Sequence, residues 1–219
     1  KLTNRIQCEE ISIRIEKNIP MQAGLGGGSS NAASALCAVA KLWGIPADDL
    51  SLVQAASTIG ADAAFFLEGG CAEYVGVGER LSPRLDPMNA SLVVVKPPVG
   101  VSTKEAYEVF DSLGVQIPDS LLTAAEEAKR AQDVPLFNNL TPAAADIQPE
   151  IKNAISWLEA EKGVRLSDGR PDCLLCGSGS AIFAITETFA DASAIAAKAK
   201  AKGLWARSTT FSSIRACAM

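Results

Sequence analysis

The chain has 219 residues, of which 48% are hydrophobic, 21% charged and 5% aromatic, and its formal net charge is −5. This composition indicates a globular protein of one large domain or two small ones, and the acidic balance argues against a surface built mainly to bind nucleic acid or another polyanion. The sequence contains no histidine, which excludes Ser-His-Asp and Cys-His catalysis and every histidine metal ligand.

Hydropathy and cysteine usage indicate the compartment. No apolar stretch is long enough to cross a bilayer and Lys1 does not open a signal peptide, so we expect a cytoplasmic protein without a membrane partner. The cysteines lie mostly among small apolar residues, which predicts reduced, buried thiols; they are Cys8, Cys37, Cys71, Cys173, Cys176 and Cys217. Cys173 and Cys176 form a C-x-x-C pair, but no second pair follows at the spacing of a zinc site, so packing is favoured over a metal or redox role.

The first half of the chain alternates strand, loop and helix patterns. We predict, in chain order, a half-buried strand at 11–15, a glycine-rich loop at 24–30, helices at 33–43 and 48–59, a short segment at 62–67 leading to a Gly-Gly turn, and strands at 72–75 and 91–96. The strand at 11–15 rests on strict alternation of isoleucine with polar residues.

The second half predicts an antiparallel sheet with helices on one face. Its expected elements are a helix from a capping box at 102–105 to 113, helices at 120–132 and from Pro149 to before Gly163, strands at 172–176 and 181–185 around a Gly-Ser-Gly-Ser turn, a helix at 191–202 and a strand at 204–211. The boundary between the halves is expected near 86–90, which predicts domains at 1–88 and 89–219.

The glycine-rich loop is the most informative local feature. Its four glycines allow a close approach of the backbone to a ligand, and we expect Ser29, Ser30 and Asn31 to cap the helix that follows. A helix N-terminus with free N–H groups attracts phosphate, although a tight turn is the alternative interpretation. The loop is neither a Walker loop nor a dinucleotide-binding fingerprint, because no Gly-Lys-Ser/Thr follows and the spacing of three glycines is missing.

The stretch from Ile19 to Ala33 resembles the second signature of the GHMP small-molecule kinases, Pro-x-x-x-Gly-Leu-Gly-Ser-Ser-Ala-Ala. Its triple glycine is similar to one branch of that family, which phosphorylates a cytidine diphosphate-linked methylerythritol. Three further segments resemble the same branch: 60–66, around its catalytic aspartate; 100–107, at the start of its second domain; and 176–184, similar to the family's third signature, a glycine-rich hairpin near the phosphates.

The resemblance implies an α+β, two-domain GHMP kinase fold. Its N-terminal part would be ribosomal protein S5 domain 2-like and incomplete, since the resemblance begins just before the second signature and we expect the first signature to be absent from this chain. Its C-terminal domain would be ferredoxin-like. The implied activity is ATP-dependent phosphorylation of the substrate's 2-hydroxyl in the non-mevalonate route to isoprenoids, with Mg²⁺ as the one further cofactor. Another GHMP kinase, of homoserine or mevalonate type, and a nucleotide-binding fragment without turnover stay open as alternatives.

The resemblance also implies roles for individual residues. Asp62 is the candidate general base, and a helix N-cap is its alternative. The candidates for binding ATP are Lys17, Pro20, Gly24, Leu25, Gly26, Gly27, Gly28, Ser29, Ser30 and Asn31, and of these the two serines are also the candidate Mg²⁺ ligands. The candidates for binding the acceptor are Thr103, Tyr107, Gly177, Ser178 and Gly179. Tyr107 would stack on the cytosine; an ordinary half-buried tyrosine is the alternative.

Overall fold

The computed structural model describes residues 11–75, 80–86 and 88–216. Within these residues the chain divides into two compact units. Unit 1 comprises residues 11–19, Gly26–Leu85 and 213–216, and unit 2 comprises Pro20–Leu25 and Asp86–Ser212. The predicted domains at 1–88 and 89–219 stay a prediction, and the expectations for Cys8 and Cys217 lie outside the described residues.

Unit 1 is built from three helices and one hairpin. Its elements are α1 (Gly27–Leu42), α2 (Leu50–Ile59), α3 (Ala61–Glu68), β1 (Cys71–Val75) and β2 (Arg80–Leu85). The two strands pair antiparallel, with Cys71 opposite Leu85. The helices bury a small core of mostly alanine side chains with Leu52 and Leu67, and small residues allow the three helices to approach closely.

Unit 2 is an antiparallel four-stranded sheet with helices. Its elements are β3 (Ser91–Lys96), α4 (Thr103–Leu113), α5 (Asp119–Glu127), a 3₁₀ turn (Ala131–Asp133), α6 (Thr141–Ile147), α7 (Pro149–Glu159), β4 (Leu166–Ser167), β5 (Arg170–Pro171), β6 (Cys173–Leu175), β7 (Ile182–Thr186), α8 (Phe189–Ala201) and β8 (Trp205–Thr210). The strand order is β6–β7–β3–β8, and β4 and β5 form a separate two-residue ribbon.

Strand β3 lies inside the sheet, between β7 and β8, and both of its faces are covered. Val93 and Val95 pack on one face against α7 and α8, in a core that includes Leu158 and Ile195. Leu92 and Val94 pack on the other face against Ala23 and Ala181. A central strand needs apolar residues at consecutive positions, which explains the uninterrupted Leu-Val-Val-Val sequence.

The structure corrects several local predictions. Residues 11–15 form no strand: no described strand pairs with them, and Ile11, Ile13 and Ile15 are 37%, 57% and 50% exposed. Alternation gives a half-buried strand only where a neighbouring strand supplies hydrogen bonds and a face to cover. The capping box at 102–105 is wrong in detail, since α4 begins at the predicted place but no side chain caps it.

The cysteine prediction also needs a correction. Cys71, Cys173 and Cys176 are free thiols, as expected, but Cys37 on α1 is disulfide-bonded. Its spacing on an apolar helix face predicts packing and carries no information about a bonding partner. In the described part of the chain no helix has the length and apolar character needed to cross a bilayer.

Candidate active site

The phosphate-binding candidates of unit 1 lie where α1 begins. Gly26 occupies the N-cap position in the left-handed region (φ 62°, ψ 18°), and its carbonyl accepts a 2.8 Å hydrogen bond from the N–H of Ser30. The prediction that Ser29, Ser30 and Asn31 cap the helix is therefore wrong, because the N-cap lies three residues before Ser29 and no side chain caps the helix. The amides of Gly27, Gly28 and Ser29 thus form an open first turn that can receive an anion.

Glycine is required at the N-cap by packing as well as by φ. A Cβ on Gly26 would lie 2.8 Å from the ring of Phe66 on α3. Phe66 follows Asp62 by four residues, so both side chains project from the same side of α3, about one 5.4 Å turn apart. The fold of unit 1 thereby brings the candidate general base and the candidate phosphate loop to the same side of α3.

Asp62 lies inside the first turn of α3, and Gly60 is the N-cap. The alternative interpretation of Asp62 as the helix N-cap is therefore wrong. Its carboxylate is exposed and, among the described residues, has neither a hydrogen bond nor an ion pair. The helix N-terminus stabilises its negative charge. An exposed, uncommitted carboxylate can approach a substrate hydroxyl, whereas one that caps a helix is occupied.

Lys17 lies on a small cavity at the start of α1. The cavity has a volume of about 200 Å³, and the residues around it include Asn18, Ile19, Gly27 and Asn31. Lys17 itself is exposed. The structure therefore brings three of the predicted ATP-binding residues of unit 1, Lys17, Gly27 and Asn31, to one place.

The beginning of the same loop belongs to unit 2, where it packs directly on the predicted hairpin. The hydrogen bonds between the segment Pro20–Leu25 and the hairpin are made by backbone groups: the N–H groups of Ser180 and Ala181 donate to the carbonyls of Gln22 and Ala23, at 3.2 and 3.0 Å. A Cβ on Gly24 would lie 1.8 Å from the carbonyl oxygen of Cys176, and Gly24 has φ +74°. Only glycine fits there, because the two backbones touch.

Gly179 shows the same contact from the hairpin side. A Cβ on Gly179 would lie 2.0 Å from the nitrogen of Gly24. Ser180 is fully buried, and its hydroxyl contacts the carbonyl oxygens of Val99 at 2.7 Å and Gln22 at 3.1 Å. The predicted residues Gly24, Leu25, Gly177, Ser178 and Gly179 are thus brought together in unit 2.

The acceptor-binding candidates on α4 adjoin this hairpin. The hydroxyls of Thr103 and Ser178 are 2.9 Å apart, which ties the first turn of α4 to the hairpin. Tyr107 follows Thr103 by one helical turn and is 52% exposed. An exposed ring can stack on a planar base, so this exposure favours stacking over the alternative of an ordinary half-buried tyrosine.

Two residues near the hairpin were not identified from the sequence. Asn138 donates from its side-chain amide to the carbonyls of Leu175 (3.0 Å) and Gly177 (2.8 Å). Lys96, only 8% exposed, donates to the carbonyls of Pro97 and Val99, and burial lowers the pKa of its ammonium. The only sequence signals were an Asn before a Thr-Pro helix start and a lysine ending an apolar strand, and both are common on protein surfaces.

Comparison with known proteins agrees with the sequence motifs. The family model described as GHMP kinases N terminal domain matches residues 1–70, and the model described as GHMP kinases C terminal matches residues 120–203. A protein named 4-diphosphocytidyl-2-C-methyl-D-erythritol kinase from Desulfitobacterium hafniense (strain Y51) is 42% identical over 191 residues, covering 85% of this chain and 64% of that protein. One of the same name from Polaromonas naphthalenivorans (strain CJ2) is 40% identical, covering 85% and 59%.

Two solved structures of small-molecule kinases are similar to this chain. A crystal structure of 4-(cytidine 5'-diphospho)-2C-methyl-D-erythritol kinase is 37% identical, has a TM-score of 0.70 and covers 89% of this chain and 68% of its own. A homoserine kinase from Cytophaga hutchinsonii is 20% identical with a TM-score of 0.59 and shows the fold alone. The chain spans slightly less than two thirds of the length of the curated relatives it matches. The predicted α+β fold class is confirmed, and the chain belongs to the GHMP kinase family.

Proposed function

We propose that the protein containing this chain transfers the γ-phosphoryl group of ATP to the 2-hydroxyl of 4-diphosphocytidyl-2-C-methyl-D-erythritol, a step of the non-mevalonate route to isoprenoids. The observation that carries the proposal is the open, uncapped first turn of α1 on the same side of α3 as an uncommitted carboxylate, Asp62. The names of the relatives and of the solved structure supply the acceptor.

Phosphoryl transfer needs positioning and neutralisation of charge more than covalent chemistry. In this proposal Asp62 orients the acceptor hydroxyl and accepts its proton as the oxygen attacks the γ-phosphorus. The amides of Gly27, Gly28 and Ser29 hold phosphate oxygens at the positive end of the α1 dipole. Lys17, on the cavity beside this turn, adds a positive charge toward the nucleotide.

The residues present fit a magnesium ion that arrives with ATP. Among the described residues no group of three or more acidic, cysteine or histidine side chains could hold a metal on its own. Mg²⁺ commonly binds through one or two protein oxygens together with substrate phosphates, and it neutralises phosphate charge. The hydroxyls of Ser29 and Ser30 are the oxygens that α1 offers; that of Ser30 donates to the carbonyl of Gly27 and keeps lone pairs for a cation.

Unit 2 supplies the acceptor-binding residues in this proposal. Tyr107 stacks on the cytosine, and Thr103 and Ser178, whose hydroxyls are 2.9 Å apart, contact the polar part of the acceptor. Gly177 and Gly179 let the hairpin backbone approach the acceptor without a Cβ.

We place the protein in the cytoplasm, where ATP is available. Cell fractionation, with detection by an antibody against this chain, tests the location.

The test is release of ADP by the complete protein that contains this chain, with Mg·ATP and 4-diphosphocytidyl-methylerythritol, compared with the Asp62→Asn variant. Removing the base should lower kcat by about 10²-fold or more. The matched control is Asp119→Asn, because Asp119 is also an exposed aspartate in the first turn of a helix and its loss changes helix stability similarly. We expect this control to keep kcat within about twofold.

Other outcomes would change either the assigned activity or the role of Asp62. Turnover only with homoserine or mevalonate in an acceptor panel would assign another GHMP kinase. Binding of ATP with no ADP release under any acceptor would support a nucleotide-binding protein without turnover. Full activity of Asp62→Asn would contradict the role of the carboxylate even if the kinase activity itself is found.

A further inference from the structure

The glycine-rich hairpin at Cys176–Ser180 has few bonds of its own. Its internal hydrogen bonds run from the N–H of Gly179 to the carbonyl of Cys176, at 3.1 Å, and from the N–H of Cys176 to the carbonyl of Ala181, at 2.8 Å. Gly177 has φ +52°. A turn of two glycines with two closing bonds can adopt several backbone conformations, so its shape depends on contacts from other elements.

Asn138 contacts this hairpin through its side-chain nitrogen, and both polar atoms of its side chain are hydrogen-bonded. Its Nδ2 donates to the carbonyls of Leu175 and Gly177, at 3.0 and 2.8 Å, and its Oδ1 accepts from the N–H of Leu140 at 2.9 Å. The amide orientation follows from this pattern, because only the nitrogen can face two carbonyl oxygens.

The two carbonyls that Asn138 holds belong to the peptide planes on either side of Cys176 and Gly177. In a trans peptide the carbonyl and the following N–H point in opposite directions. Fixing the Gly177 carbonyl toward Asn138 therefore directs the N–H of Ser178 away from Asn138. Among the described residues this N–H has no acceptor, while the Ser178 hydroxyl lies 2.9 Å from that of Thr103.

We infer that Asn138 is a positioning residue that aims the Ser178 amide, and with it the Ser178 hydroxyl, at an anionic group of the acceptor. The inference rests on the proposed function, since the acceptor's diphosphate is the anion. Asn138 does not touch the acceptor itself. It acts through the Gly177–Ser178 peptide, whose orientation the glycines alone do not determine.

A purely structural role is the rival explanation. The bond from Leu140 N–H to Oδ1 forms an Asx-type turn that leads into α6, so Asn138 also helps to start a helix. Asn138→Asp separates the two roles: it keeps an oxygen for Leu140 and removes both donors to the hairpin. Asn139→Asp is the matched control, since it places the same charge one residue away, and among the described residues the Asn139 side chain has no hydrogen bond.

The experiment combines steady-state kinetics with hydrogen exchange on the complete protein. For Asn138→Asp we expect the KM for 4-diphosphocytidyl-methylerythritol to rise about tenfold, the KM for ATP to stay within about twofold, and the hairpin peptide around Gly179 to exchange faster. Asn139→Asp should match the unmodified protein. Asn138→Ser, which keeps an acceptor and one donor, should give an intermediate KM and serves if the aspartate variant does not fold.

The possible failures are distinguishable. An unchanged acceptor KM in a folded Asn138 variant, or unchanged hairpin exchange, would overturn the inference and leave Asn138 as a helix-start residue. Absence of kinase activity in the unmodified protein would refute the proposed function, and hairpin exchange would still decide whether Asn138 sets the conformation of the turn.

Discussion

The contact between Gly24 and Gly179 gives the sharpest test of the structure, through the substitution Gly179→Ala. The new Cβ would lie 2.0 Å from the nitrogen of Gly24, whereas ordinary contacts of a Cβ begin at 3.4 Å. The backbone of the hairpin must therefore separate from that of the loop by roughly 1.4 Å, because backbone atoms cannot rotate out of the way. No left-handed strain is involved, so the effect measures the close approach alone.

The magnitude follows from what this separation breaks. The hydrogen bonds from Ser180 N–H to Gln22 and from Ala181 N–H to Ala23, now 3.2 and 3.0 Å, would both be lost. Two bonds at about 1 kcal/mol each and overpacking of about 1 kcal/mol or more lower the free energy of unfolding of unit 2 by about 3 kcal/mol. At a slope of about 2 kcal/mol per M, the urea midpoint falls by about 1.5 M.

The assay is urea unfolding followed by tryptophan fluorescence in a Trp43→Phe background. Trp157 and Trp205 then report on unit 2 alone, since Trp43 is the tryptophan of unit 1. Gly28→Ala is the control, and because Gly28 lies in unit 1 it is measured with Trp43 retained. A Cβ at Gly28 meets no atom within 4 Å, and alanine is the better helix former, so stability should not fall. A Gly179→Ala midpoint within about 0.3 M of the parent would refute the close approach.

Two further predictions concern buried ionisable groups. Burial raises the pKa of the Cys173 and Cys176 thiols to about 12, so at pH 8 iodoacetamide should label neither in the native protein and both after unfolding; rapid native labelling, read by peptide mass spectrometry, would contradict this burial. Burial lowers the pKa of Lys96, so the unfolded chain binds this proton more tightly than the folded chain. The stability of the parent relative to Lys96→Met should therefore rise with pH up to about 10.4, the ordinary lysine pKa. Groups common to both proteins cancel in that difference, and a flat or falling difference between pH 8 and about 10.4 would refute the shift.

Elements with a strong local pattern were predictable. Helix α8 has apolar residues at helical spacing, and its N-cap is Thr188, whose side chain accepts from the N–H of Asp191. The strand β3 follows from its run of valines. The β4–β5 ribbon was missed although its sequence carries a recognisable signal, the Asp168-Gly169 pair. In the structure both residues have positive φ, as a tight hairpin turn requires. Its strands of two residues each were too short for any periodicity to register.

The candidate site likewise has parts that were predictable from the sequence and parts that were not. The glycine-rich loop, the aspartate segment and the Gly-Ser-Gly-Ser turn were identified because they resemble short, contiguous signatures of the GHMP kinases. The N-cap of α1 was misplaced by at least three residues, because it depends on the left-handed backbone of Gly26 and on the Phe66 ring beside it. A residue 40 positions along the chain leaves no trace in the local sequence.

The sequence by itself determined the fold class, the family and the residue types that the chemistry needs, because these depend on periodicity and on motifs of neighbouring residues. The tertiary structure alone decided which partners those residues have. Asn138 holds the hairpin carbonyls across 37 and 39 positions of sequence, and the backbone of Gly24 touches that of Gly179. Such contacts depend on how distant segments pack, and packing is a property of the whole core that no short stretch of sequence encodes.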